Sequence, residues 1–259
     1  MSPISDPGLD LGLEGMVAVV VGTGPAIGRA CVTGLARAGA RMACFDRDPE
    51  AAKASAEAAR AVGVEATSHI VDVLDREAVR AEISAVVSGH GQLDVLVNVV
   101  GGARWSLSSQ TSEQEWDAVL ALNLRQQWVV AQEALRHMIP ARAGSIVAVA
   151  SVSGMNSSTQ HGAYGAAKAG LINLIRTLAV ENGRHGIRVN AIAPGSIDTP
   201  ARAGDDALAV KIPLGRRGRP QDIGNAAVFL SSAAASYVNG HVLVVDGGVT
   251  ANHSLIDLD

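Results

Sequence analysis

Aromatic residues are scarce in this chain: two Phe, two Tyr and three Trp among 259 residues. With so few large rings, the core must be built from Val, Ala, Leu and Ile, and 48% of the residues are hydrophobic. Cysteine is nearly absent. The two thiols, Cys31 and Cys44, form no CxxC pair, which argues against a secreted disulfide framework and for a reducing compartment. No apolar run reaches membrane-spanning length. The start, MSPISDPGLDLGLEG, lacks the basic-then-apolar order of a signal peptide. An excess of positive charge is also lacking. A net charge of −4 gives no bulk argument for binding nucleic acid or an acidic membrane surface. A cytoplasmic protein is expected, with a small-molecule ligand and no metal.

What the chain does have is glycine, 28 residues of it, placed at the ends of short β-branched runs. Met16 to Val21 reads as a strand and is followed by Gly22-Thr23-Gly24-Pro25-Ala26-Ile27-Gly28 and then by a helical segment ending at Gly39. Strand, glycine turn and helix in that order form a cradle for a dinucleotide. The glycines let the backbone approach a pyrophosphate, and the helix start offers free N–H groups. An ordinary βα turn is the alternative. A second strand, Arg41 to Phe45, leads into Asp46, 24 residues after Gly22. A carboxylate at that distance takes the adenosine ribose hydroxyls and repels a 2′-phosphate, favouring NAD over NADP. The adjacent Arg47 argues the other way, and Asp46 also fits as the cap of a helix starting near Pro49.

Glu65 to Val71 reads as a third strand, ending at Asp72-Val73. Asp72 can border an adenine or cap the helix from Asp75 to Ser88. Leu93 to Val97, followed by Asn98-Val99-Val100-Gly101-Gly102, supplies another glycine-rich turn at a strand end. The βαβα order predicts a parallel sheet with helices on both faces and every strand's C-terminal end on one edge.

Chemistry concentrates further along. Thr111 to Met138 reads as one long helix with Asn123 on its apolar face, either bridging water to Lys168 or bonding local backbone. Gly144 to Ala150 is a strand that delivers Ser151. Tyr164 and Lys168, four apart on the next helix, share a face one turn apart. A phenol titrates near ~10, and a nearby ammonium favours the phenolate and brings it towards the working range. Ser151 and Tyr164 can then hold one substrate oxygen between them. The bland alternative is a packed ring beside a solvated lysine. Ile187 to Ile192 leads to a turn at Pro194-Gly195, whose backbone can clamp a nicotinamide amide, and Thr199 can reach a phosphate. The stretch from 200 to 220, with Arg202, Lys211, Arg216, Arg217 and Arg219, reads as a lid that either favours an acidic substrate or presents a solvated face. A helix over Gln221 to Ser232 and a strand over His241 to Val245 complete the chain, with residues 1–12 expected to be flexible.

Over about Leu13 to Thr250 the chain resembles the short-chain dehydrogenase/reductase family. The glycine turn, Asp46, Asp72, Asn98 with Gly101, Asn123, Ser151, Tyr164 with Lys168, and Pro194-Gly195 carry the likeness in order. The resemblance implies a single Rossmann-like, doubly wound α/β domain with a seven-stranded parallel sheet. It implies an enzyme that interconverts a secondary alcohol and a ketone. Tyr164 would be the acid/base, and Lys168 would lower its pKa and hold the nicotinamide ribose. Ser151 would stabilise the substrate oxygen, and Asn123 would hold a relay water. In oxidation, tyrosinate would take the alcohol proton while hydride passes to C4 of NAD. Gly22, Gly24, Ala26, Ile27, Gly28, Asp46, Arg47, Asp72, Val73, Asn98, Gly101, Tyr164, Lys168, Pro194, Gly195, Ile197 and Thr199 would bind the cofactor.

The resemblance also implies a homotetramer packed through the long helices and the last strand. Three features depart from the family pattern: Val21 stands where Thr is usual, Ala26 where the middle glycine is usual, and Asn98-Val99-Val100-Gly101 where Asn-Asn-Ala-Gly is usual. The expected substrate is an apolar ring, a hydroxysteroid-like molecule or a hydroxyacyl thioester. An NADPH-dependent 3-oxoacyl-thioester reductase and a dinucleotide-binding sensor without turnover are the competing readings. Enoyl reduction fits less well, because enzymes of that kind space Tyr and Lys more widely.

Overall fold

The computed structural model describes residues 11–200 and 206–251. Seven strands form one sheet: β1 (Val17–Val21), β2 (Arg41–Asp46), β3 (Ala66–Ile70), β4 (Val95–Asn98), β5 (Gly144–Val149), β6 (Ile187–Pro194) and β7 (Val242–Val245). Their order is β3-β2-β1-β4-β5-β6-β7, and every neighbouring pair is parallel. Strands buried on both faces need no polar alternation, which is why β1 reads VAVVV and is buried throughout. Because successive side chains point to opposite faces, Val17, Val19 and Val21 enter one core layer while Ala18 and Val20 enter the other.

Helices α1 (Ile27–Arg37), α2 (Pro49–Arg60), α3 (Arg76–His90), α4 (Glu113–Leu120), α5 (Gln126–Ala141), α6 (Gly162–Asn182) and α7 (Pro220–Ser231) cover the sheet. Chain order reverses between β1 and β4, so a crevice opens where the connections from these two strands diverge. The registers Val21↔Phe45, Val21↔Asn98 and Asn98↔Ala148 bring the strand ends to one edge.

Two expectations change. The long helix is not one α-helix: Ala121–Arg125 form a π-helical turn between α4 and α5, with Asn123 buried at its centre. The Asn123 amide donates to the carbonyls of Val119 and Gly102 at 3.0 Å each. A side chain that competes in this way for main-chain partners widens the helix locally. The lid is also more regular than expected, with a 3₁₀ segment over Asp206–Lys211. Arg202 and the first ten residues lie outside the described part, but Leu11 already accepts a hydrogen bond from the Ala233 amide at 2.9 Å.

Candidate active site

The turn after β1 is shaped by steric necessity. Gly22 has φ +86°, which side chains rarely adopt. A Cβ on Gly28 would lie 1.9 Å from the Gly22 carbonyl oxygen, so the helix packs on the turn only with glycine there. A Cβ on Gly24 would meet no protein atom within 4 Å, since that position faces open space. Ala26 has a negative φ of −121°, outside the left-handed region that favours glycine. No side chain caps α1, and no acidic residue stands in its first turn. In α2, α3 and α4 that place is taken by Asp48, Asp75 and Ser112. The Arg29 amide is bonded to the Gly24 carbonyl at 3.0 Å, but the uncapped, glycine-walled start of α1 still turns its positive dipole end outward, so the residues present fit a dinucleotide pyrophosphate.

A cavity of about 410 Å³ lies over this turn. Its wall includes Gly22, Gly24, Ala26, Ile27, Gly28, Asp46, Arg47, Asp72, Val73 and Gly101, together with Leu74, Val99 and Leu122. Asp46 does not cap α2. That role falls to Asp48, and the Asp48 amide donates to Asp46 Oδ1 at 3.0 Å. Asp72 likewise leaves the capping of α3 to Asp75 and accepts the Leu74 amide at 2.9 Å.

Asn98 does not line the cavity. It is buried behind the wall, donating to Gln126 Oε1 at 3.0 Å and accepting the Val100 amide at 3.1 Å. Gln126 and Gln127 both donate to the Val100 carbonyl at 3.0 Å, holding the turn where the usual second asparagine is missing. Two glutamines in the buried register after Asn123 were the sequence signal for this brace. Pro194, Gly195, Ile197 and Thr199 are also absent from the cavity wall. They follow β6, where the Gly195 amide bonds the Val245 carbonyl at 3.0 Å and Ile197 pairs with Gly218. Arg217, read from the sequence as part of a basic lid, is buried and donates to the Ile197 carbonyl at 2.7 Å, while Arg216 pairs with Asp222 at 2.8 Å. These two guanidiniums are engaged within the protein.

Ser151, Tyr164 and Lys168 are absent from the cavity wall, and Lys168 Nζ approaches it from behind Gly101. Lys168 is 1% exposed, and its Nζ donates to the Val149 carbonyl at 2.8 Å, at the end of β5 and two residues before Ser151. The ammonium lies 5.7 Å from the centre of the Tyr164 ring. Ser151 caps a 3₁₀ turn, Val152–Gly154, by accepting the Ser153 amide at 3.1 Å. That turn presses on α6: a Cβ on Gly154 would lie 2.6 Å from the Lys168 backbone, and one on Gly165 2.9 Å from the Ser153 carbonyl. Gly101 links this group to the cavity. It lines the cavity, and a Cβ there would stand 2.7 Å from Asn123 Oδ1 and 2.9 Å from Lys168 Nζ. The Gly102 amide donates to Asn123 Oδ1 at 3.0 Å, so this side chain is engaged with the backbone on three sides.

Burial takes the lysine out of water and lowers its pKa to about 7. Since the unfolded side chain keeps a value near 10.5, the charged form opposes folding fully below pH 7, and this cost disappears above about 10.5. Stability should therefore rise with pH across that window. Measured by denaturant melts at pH 7 and pH 9, the stability difference between wild type and Lys168→Met should move in favour of wild type by roughly 1–3 kcal/mol as pH rises.

A family model described as Enoyl-(Acyl carrier protein) reductase matches residues 22–250. The chain belongs to the short-chain dehydrogenase/reductase family, and it is an NAD(P)-dependent oxidoreductase acting on CH–OH groups. It is 37% identical over 243 residues to the 3-oxoacyl-(acyl-carrier-protein) reductase FabG of Thermotoga maritima, covering 92% of this chain and 98% of that protein. It is 39% identical over 250 residues to the D-threitol dehydrogenase of Mycolicibacterium smegmatis, covering 93% and 95% respectively. Among solved structures, levodione reductase superposes with a TM-score of 0.88 at 32% identity, over 93% of this chain and 99% of that one. Among the described residues, no helix is long and apolar enough to cross a membrane, and no cluster of three or more His, Cys, Asp or Glu side chains is placed to hold a metal.

Proposed function

We propose that this protein is an NAD-dependent dehydrogenase interconverting a secondary alcohol and its ketone, with Tyr164 as acid/base. The observation that carries this reading is the buried Lys168 ammonium, placed beside the Tyr164 ring and behind Gly101 at the end of the dinucleotide cavity. The bound nicotinamide supplies the hydride acceptor or donor. Tyr164 takes the proton from the alcohol in oxidation and returns it in reduction. Lys168 in its charged form favours the phenolate, and a phenolate in turn favours the ammonium against the burial that disfavours it. Ser151, held at the strand end by its bond to the Ser153 amide, orients the substrate oxygen. Asn123 fixes the Gly101-Gly102 turn against Lys168, and a water relayed to that lysine is part of the proposed proton path.

Asp46 supports NAD as the nucleotide, because a second negative group at the cavity wall disfavours the 2′-phosphate of NADP. Titration of nicotinamide fluorescence should show NADH binding tighter than NADPH by about tenfold or more, with Asp46→Ala narrowing that ratio. Tighter binding of NADPH by wild type would instead assign the phosphate to Arg47, which lines the same wall, and would favour 3-oxoacyl-thioester reduction with NADPH.

A cytoplasmic setting is supported by two buried free thiols, Cys31 and Cys44, each pushed up to about 12 by burial and so kept unreactive. A homotetramer is supported by exposed Trp116 and Trp128 on α4 and α5 and by the half-buried edge strand β7.

A further inference from the structure

Beyond the proton-transfer group, three rings stand in sequence at the site. The Trp105 and His161 ring centres are 4.1 Å apart, and His161 meets the Tyr164 ring edge-on at 5.6 Å. Trp105 remains 52% exposed. The arrangement is built rather than incidental. His161 Nδ1 is 2.8 Å from Ser153 Oγ, which fixes the imidazole. Ser106 and His161 form a β-bridge, and the Ser106 amide donates to the Gln160 carbonyl at 3.3 Å. Gln160, just before His161, is held at φ +66°, a conformation uncommon outside glycine that is kept where surrounding contacts impose it. A Cβ on Gly162 would sit 2.4 Å from Ser108 Oγ, so the segment after β4 closes directly on the start of α6.

From these contacts we infer that Trp105, seated on His161, is the specificity wall of the substrate site and selects a cyclic secondary alcohol or ketone over an open-chain one. The inference rests on the alcohol dehydrogenase reading above. The indole leans at 44° on an imidazole that itself meets the reacting phenol, and with 52% of its surface exposed it offers a polarisable surface one ring removed from that phenol. The C–H face of a saturated ring covers that surface without freezing internal rotations, whereas an open chain must lose rotor freedom to cover the same area. His161 acts through its neighbours: it holds the indole and limits the orientations of the Tyr164 ring.

The test measures kcat/KM for cyclic secondary alcohols and for open-chain secondary alcohols of equal carbon number, each with NAD and with NADP. Wild type should prefer the cyclic members. In Trp105→Ala the cyclic-to-open ratio should fall about 3- to 10-fold, and Trp105→Phe should restore most of it, with NADH affinity unchanged in both variants. An unchanged ratio, or an equal loss on both classes of alcohol, overturns the inference while leaving the dehydrogenase reading intact. If wild type oxidises no secondary alcohol with either dinucleotide, the dehydrogenase reading falls and the inference falls with it.

Discussion

Tyr164→Phe should lower kcat about 10²- to 10⁴-fold, the usual worth of a positioned acid/base, while NADH binds nearly as before. Only the hydroxyl is lost. The ring that packs against His161 and lies 5.7 Å from Lys168 Nζ is kept, so the fold of α6 should not change. The cavity proposed to take the dinucleotide is lined by other residues, Gly101 among them. Steady-state kinetics beside a nicotinamide-fluorescence titration separates the two effects. A variant that binds NADH with wild-type affinity and turns over at the wild-type rate would remove Tyr164 from the chemistry and pass the acid/base role to another group.

Gly28→Ala should be the most damaging single methyl in the nucleotide half. At 1.9 Å from the Gly22 carbonyl oxygen, the added Cβ meets backbone, not the movable end of a side chain. Gly22 is already at φ +86° and packs against Val100, so the turn has little room to retreat. Displacing α1 from the turn would strain a close-packed core, at a cost of about 1–3 kcal/mol or more. Dinucleotide affinity should fall about 100-fold, because the amides at the start of α1, proposed to hold the pyrophosphate, move with the helix. Gly24→Ala is the informative contrast. Its Cβ meets no protein atom within 4 Å, yet Gly24 lines the cavity. That variant should keep wild-type thermal stability and lose cofactor affinity alone. Equal melting temperatures for Gly28→Ala and wild type would show that the turn yields more easily than its contacts imply.

The two halves of the proposed site impose different kinds of constraint. The cofactor half is made by backbone, so its requirements are steric and fall on glycines. The chemical half is made by side chains whose burial sets their charge. Lys168 can act as a cation only if something negative compensates for the loss of water, and the neighbouring phenol is a group able to supply that charge.

Much of this could be read along the chain because it depends on local order. Apolar strands, glycine turns and intervening helical segments determined a parallel sheet with its strand ends at one edge, and the four-residue spacing of Tyr164 and Lys168 determined that they share a helix face. The identity of the central strands followed from burial on both sides, a property that β1 and β4 display in their own residues. Tertiary structure alone decided which polar residues face the cavity and which stand behind it. Asp46 and Asp72 line it because Asp48 and Asp75 take the capping roles, whereas Asn98 turns inward to Gln126. It also decided that Asn123 opens a π-helical turn, that Arg217 is buried under the turn after β6, and that Trp105 comes to rest on His161, 56 positions later. The physical reason is common to these cases. A polar or aromatic side chain has several partners of similar energy, and the choice among them is made by which backbone groups the packed sheet brings within reach.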